Sequence, residues 1–395
     1  MMVYNFVKLN ITFGGKMNKI KYFLSFTVLL IVCFCIPLNA NQEESTDNVE
    51  YYRAKVIKIL GEEKPEVEYS GGEVTLNLQY VEVKVLEGPF SGKTLKAEYQ
   101  LNQGMDVKYN IKALKSGDKV FVYIQEDEAG GIQQVYITEI VREKYLLFLV
   151  ALFIVILLLV GRSKGLKALI SLIITIFAVI KVLLPAILAG YDPILVSIGI
   201  CIVVICISLL IISGYNKKTL AAFLGTTGGV LFAGIIAILI GTAAKLSGLG
   251  DEESQMLMYI PHNVVFDFRG ILFSGIIIGT MGATMDVGMS IASALHEIHE
   301  NSPEISKLAL IRSGMNIGRD TMATMANTLI LAYAGGSLQL MLLLLAYQTP
   351  ASEFMNWDMI VSEILRAVCG SLGIIISIPV TAITAGIIYK QSHNT

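Results

Sequence analysis

Residues 145–161 read YLLFLVALFIVILLLVG. With no charge and no proline, this stretch approaches the roughly 20 apolar residues a helix needs to cross about 30 Å of hydrocarbon, so it predicts a membrane helix. Downstream, segments of the same character recur at 168–189, 194–213, 219–243, 270–290, 321–347 and 360–389, giving an expected α-helical membrane bundle of seven helices in residues 145–390. Upstream the chain changes material. Residues 41–144 carry 32 of the 62 charged side chains, although only 16% of the 395 residues are charged and 54% are hydrophobic. Such a chain is not a soluble cytosolic enzyme, and 30 basic against 32 acidic residues leave no cationic excess for nucleic acid.

The charged segment has strand periodicity. Alternating runs at Ala54–Ile59, Thr75–Leu78, Tyr80–Val85, Thr94–Ala97, Lys119–Tyr123 and Val135–Thr138 are separated by turn signals at Gly71-Gly72, Gly88-Pro89, Ser116-Gly117-Asp118 and Gly130-Gly131. Five or six antiparallel strands are expected to close a small β-barrel over 41–144, of the oligosaccharide/oligonucleotide-binding type. Tyr51, Tyr52, Tyr69, Tyr80, Tyr99, Tyr109 and Tyr123 fit either a core-and-rim role or a face for an extracytoplasmic protein or ligand.

Residues 1–40 read as a leader. Lys19 and Lys21 precede a short apolar run that ends at Pro37 and the small-residue site Leu38-Asn39-Ala40, the pattern of a secretory signal peptide, with a retained signal anchor as the alternative. Gly14-Gly15-Lys16-Met17 suits a ribosome-binding sequence followed by the true start, so Met17 is the expected initiator and residues before it a mis-assigned extension. Cys33 and Cys35 fall in the leader and Cys201, Cys206 and Cys369 in helices, so no disulfide framework, metal site or cofactor is expected.

Alternating the seven segments from an exported β domain places Arg162, Lys164, Lys167, Lys217, Lys218, Lys307, Arg312, Arg319 and Lys390 on the cytoplasmic side. The opposite turns carry Asp192, Asp251, Glu252, Glu253, Glu353 and Asp358, so the expectation is a multi-pass cell-membrane protein with the β domain outside and the C-terminus in the cytoplasm. Small residues four apart, Gly225/Gly229 and Gly275/Gly279, predict faces where helix backbones approach closely.

The densest polar grammar is GTMGATMDVGMSIASALHEI at 279–298 and SGMNIGRDTMATMANT at 313–328. On these two motifs, together with the exported β segment ahead of several helices, the chain resembles the YibE/F family of bacterial membrane proteins across residues 50–390. The resemblance implies an integral membrane protein, without an assigned activity and hence without catalytic residues to carry over. A second resemblance, to proton-driven resistance-nodulation-division proteins and protein-export accessory subunits, rests on the order of the Asp286 helix, an amphipathic stretch at 291–304 and the Thr/Met-rich helix after Arg319-Asp320.

Physically, a carboxylate near a membrane-helix end is costly unless it faces polar groups, so Asp286 is expected to turn into the bundle with Arg319 as partner. Asp286, Arg319, Asp320, Asn316 and Asn327 are therefore the candidate ion or proton relay, a static polar clasp being the alternative. Lys181 reads as an interfacial cation, Glu363/Arg366 as an intrahelical pair, and His296-Glu297-Ile298-His299 lacks the spacing of a metalloprotease helix. Met281, Met285 and Met289 form a helical stripe that suits core filling. His262, His296, His299 and His393 lie in loops or at helix ends, and no phosphate-binding loop occurs, so an enzyme or ATP-driven pump is not expected. What remains is an ion-coupled transporter or permease-like protein in contact with the lipid bilayer. The alternative is a non-transporting scaffold or export/envelope accessory whose β domain binds a partner.

Overall fold

The computed structural model describes residues 50–69, 72–75, 77–101, 112–126, 131–260 and 265–391. The leader with Met17, and Gly71, Tyr109, Gly130, His262 and His393, lie outside the described residues. Two compact units divide the chain between Ile156 and Leu157.

The first unit is a closed five-stranded barrel. Strands β1 (Tyr51–Glu63), β4 (Leu78–Val85), β5 (Thr94–Gln100), β7 (Ile132–Ile140) and β6 (Lys119–Glu126) are neighbours in that order, and β6 pairs back onto β1. A hairpin of β2 (Glu66–Tyr69) and β3 (Gly72–Thr75) is inserted between β1 and β4. Only β5 and β7 run parallel, which makes the barrel a Greek key of the kind expected. Closure depends on β1. Register shifts at Val56/Lys58 and Ile59/Gly61 bend this 13-residue strand, so that its first part pairs with β6 and its remainder with β4. Period-2 alternation sends Ala54, Val56, Val81, Val83, Val85, Ala97, Val120 and Val122 into a fully buried core.

One end of that core is closed by a polar side chain. Gln79 is 2% exposed, accepts a hydrogen bond from Leu114 N at 2.8 Å and donates from Nε2 to Leu114 O at 3.3 Å, holding the segment before β6 against the barrel. Ser116 Oγ donates to Ile57 O at 2.6 Å beside it. Elsewhere on the unit, Tyr52 donates its hydroxyl to Glu50, which pushes its pKa up to about 12. Gln79→Leu leaves both backbone groups of Leu114 without partners and should cost about 1–3 kcal/mol. Faster hydrogen exchange at the Leu114 amide and a lower unfolding midpoint of the β unit are the expected readouts.

The second unit is helical. Helix α1 (Glu143–Ala178), whose residues up to Ile156 belong to the first unit, continues through a π-helical turn at Val179–Leu183 into α2 (Leu184–Leu188). Then come α3 (Pro193–Ser213), α4 (Lys217–Ala243), α5 (Glu252–Leu257), α6 (Phe268–Asn301), α7 (Lys307–Gly336), α8 (Leu338–Ala346), α9 (Ala351–Phe354) and α10 (Asp358–Gln391). Among the described residues five helices are long and apolar enough to cross a membrane, six if α7 and α8, bent by 60°, count as one span. Seven were expected, and the difference lies in the run Glu143–Leu188, which counts as one 46-residue span. A straight helix of that length would measure about 69 Å, more than twice the hydrocarbon thickness. The run is not straight. Arg162 has φ 47° and ψ −128°, and a Cβ on Gly165 would sit 2.2 Å from Leu157 O, so the helix is broken by a kink between the expected segments 145–161 and 168–189.

Two of the expected outer-turn acids, Asp192 and Asp251, begin helices, and so does Asp267. Asp192 accepts from Leu195 N, Asp251 from Ser254 N, and Asp267 from Gly270 N at 2.7–2.9 Å, each satisfying one of the amides that a helix start leaves open.

Helix α10 is the centre of the bundle, packed on α4, α6 and α7. A Cβ at Gly225 would lie 1.8 Å from Thr381 Oγ1, one at Gly229 2.5 Å from Gly373 O, and one at Gly373 2.5 Å from Thr280 Cγ2. Thr280, Thr284, Ser377 and Thr381 line the same crossing, each bonding its hydroxyl back to its own helix at 2.7–3.0 Å. Gly275 differs. Nothing lies within 4 Å of a Cβ there, and at Gly279 only Tyr333 Oη does, at 2.8 Å. Gly225→Ala should therefore destabilise the purified protein by about 1–3 kcal/mol. Gly275→Ala should be neutral or stabilising by up to about 1 kcal/mol through helix propensity; thermal melts in detergent separate the two.

Candidate functional site

Helices α6 and α7 run antiparallel, and two contacts set their register. Gly279 faces Tyr333, while Gly318 sits against Ile291, where a Cβ would come within 3.2 Å of the Ile291 side chain and 2.1 Å of Ile378. Between them Asp286 lies level with the part of α7 around Thr324. Successive helical residues are about 100° apart, so the buried positions Thr284, Val287, Gly288 and Ile291 turn one side of α6 to the core. Gly275, Gly279, Gly282 and Asp286 share the opposite side and are exposed.

Asp286 thus faces outward on the helical unit, not into it as expected. Its expected ion pair with Arg319 is not formed: among the described residues of the helical unit the charged contacts are Glu363–Arg366 and His296–Glu300. Arg319 instead donates from Nη1 to Asn316 Oδ1 on its own helix at 3.2 Å. Asn316, Arg319, Asp320 and Asn327 are all exposed on α7, whose buried positions are Leu310, Gly314 and Gly318. The candidate residues are therefore exposed on two adjacent helices, and Asp286 bonds to none of the others. The reason is the core itself: glycine, threonine and serine close it so tightly that no carboxylate fits.

A further polar group was underweighted in the sequence reading. Glu363 Oε1 and Arg366 Nη2 on α10 are 3.6 Å apart, with side chains only 32% and 28% exposed. Arg366 Nε is buried without a hydrogen-bond partner. Tyr333 of α7 stands level with the pair, because Gly370 of α10 meets Leu329 of α7 one turn further along these antiparallel helices. The pair was legible as a three-residue spacing, whereas Tyr333 joins it from another helix and gave no local signal.

The remaining candidates are structural. Met281, Met285 and Met289 pack on the central apolar cluster. His296 stacks on Tyr389 at 5.7 Å and 16°, His299 lies 5.1 Å from the same ring, and His296 Nε2 is 3.2 Å from Glu300. Lys181 is exposed on the π-helical turn. No group of three His, Cys, Asp or Glu side chains suited to a metal ion occurs among the described residues.

On the β unit, Tyr51, Tyr123 and Tyr136 are opposite one another on adjacent strands β1, β6 and β7. Their neighbouring rings are each 6.4 Å apart, and the Tyr123–Tyr136 planes are within 14° of parallel.

Compared with known families, residues 149–391 match the YibE/F-like protein family and residues 49–140 the YibE/F family N-terminal domain. The chain belongs to the YibE/F family. No curated protein and no solved structure matches it. Family membership and the apolar helices together fit an integral membrane protein. In this YibE/F protein the barrel corresponds to the N-terminal family domain and the Asp286 surface lies within the helical one.

Because Asp286 holds no partner among the described residues, Asp286→Asn should leave the detergent melting midpoint within about 0.5 kcal/mol of the parent. Arg366→Ala, which strands Glu363 between helices, should lower it by more.

Proposed function

We propose that this YibE/F protein is an ion-coupled transporter or permease-like protein whose helical unit passes protons by way of Asp286. One observation carries the reading: polar and titratable groups recur at successive levels of α6, α7 and α10. Glu363 and Arg366 with Tyr333 occupy one level, Asp286 the middle, and Arg319, Asp320 and Asn316 the other end. Intramembrane carboxylates without a fixed counter-ion mark ion and proton pathways. A static clasp would need a partner for Asp286, and Arg319 bonds to Asn316 instead. The family resemblance carries no reaction, and the reading assigns none: the protein acts on its solute without chemical conversion and without a bound cofactor.

The orientation that accompanies this reading puts the β unit outside and the C-terminus in the cytoplasm. It is supported by the segregation of Arg162, Lys164, Lys167, Lys217 and Lys218 from Asp192, Asp251, Glu252 and Glu253. Lys167 Nζ donates to Ile212 O at 3.3 Å, which brings the cationic turn after Arg162 to the α3 end that leads into Lys217.

A second reading, a scaffold or envelope accessory with an extracytoplasmic partner, is favoured by the Tyr51–Tyr123–Tyr136 row, an aromatic surface able to contact a protein or ligand. Proton movement in proteoliposomes, screened over metal ions and small metabolites, separates the two. Transport predicts a solute-dependent proton signal that falls at least tenfold in Asp286→Asn. Silence from folded protein across the panel, with function in cells lost on removing the β unit but not in Asp286→Asn, establishes the scaffold instead.

A further inference from the structure

Helix α7 presents a polar side to its surroundings. Asn316, Asp320, Ala323 and Asn327 lie roughly opposite the buried Gly314 and Gly318 and are exposed, with Arg319 beside them held over Asn316. Of these, Asn327 lies inside the expected span 321–347, where hydrocarbon leaves an amide unsatisfied, while Asn316, Arg319 and Asp320 stand at its cytoplasmic start.

We infer that this side of α7 is the interface with a second copy of the chain, related by a two-fold axis along the membrane normal. Copies inserted in the same direction meet residue against residue at equal depth. Arg319 and Asp320, adjacent along the helix and about 1.5 Å apart in height, then form two equivalent ion pairs, each Arg319 with Asp320 of the partner subunit. Isologous symmetry requires this self-complementarity, in which the same patch supplies both the cation and the anion. One turn and two turns further on, Ala323 and Asn327 meet their own equivalents. The small alanine lets the backbones approach, and the two asparagine amides each offer a donor and an acceptor to the other. The inference rests on the polar side of α7 and the adjacent opposite charges at its start, and does not depend on the transport reading.

The test uses the full-length protein in native membranes, with its cysteines replaced by serine or alanine and one cysteine introduced at a time. Ala323→Cys and Asn327→Cys should give disulfide-linked dimers on oxidation, whereas Leu239→Cys, on an exposed position of α4 (59%), should not. In lipid nanodiscs the parent should have the mass of two chains. Arg319→Asp should weaken the dimer at least tenfold by setting carboxylates against each other, and adding Asp320→Arg should restore it by exchanging the two charges. A single-chain mass at every protein concentration overturns the inference. So does equal crosslinking at positions 239 and 327, or a double charge exchange no more dimeric than the single one. Loss of the proton signal in Asp286→Asn, or its absence from the parent, leaves these outcomes unchanged.

Discussion

The bundle depends on the missing side chains where α4, α6 and α10 cross. Gly229 and Gly373 oppose each other so closely that a Cβ on either would fall 2.5–3.0 Å from the carbonyl oxygen of the other. Lipid tails are as apolar as leucine, so burial of oily surface does little to hold membrane helices together, and close backbone contact does it instead. The threonine and serine hydroxyls at the crossing fold back onto their own carbonyls, which lets polar side chains occupy a tight, dry interior at little cost. An ionised group has no such local solution. Asp286, Arg319 and Asp320 therefore lie on the outer sides of α6 and α7, and only the half-buried Glu363–Arg366 pair enters between helices.

That placement changes what a site in this protein can be. A relay read from sequence is naturally drawn as a cluster inside the bundle, with Arg319 neutralising Asp286. Here the polar groups are instead spread over the outward sides of α6 and α7 at several depths. Such a surface is expensive in lipid and useful where water or a protein partner covers it. The transport reading and the paired-copy inference draw on the same constraint from these two sides.

The β unit solves a different problem. Five short strands have two edges, and closure through the bulged β1 removes both, so the barrel needs no disulfide to protect it. Its buried exception, Gln79, exchanges hydrogen bonds with both backbone groups of Leu114 and converts a desolvation cost into a fixed position for the chain before β6.

What the sequence by itself determined were the properties that need only neighbours along the chain. Alternation at Tyr80–Val85 and Lys119–Tyr123 specified strands, unbroken apolar runs specified membrane-length helices, and the motifs at 279–298 and 313–328 carried the family. Charge asymmetry between turns likewise needs no fold to be seen. Tertiary structure alone decided which side of each helix is covered. Gly225 and Gly275 begin the same four-residue pattern, yet one meets Thr381 and the other open space, because the partner helix lies more than a hundred residues away. The same holds for Asp286, whose direction follows from Thr284, Val287 and Gly288 being claimed by the core, and for Tyr333, which stands level with Arg366 only because α7 packs on α10. The break near Arg162 was legible as a short basic stretch between two apolar segments, whereas its geometry rests on one residue's backbone dihedrals, and composition does not encode those.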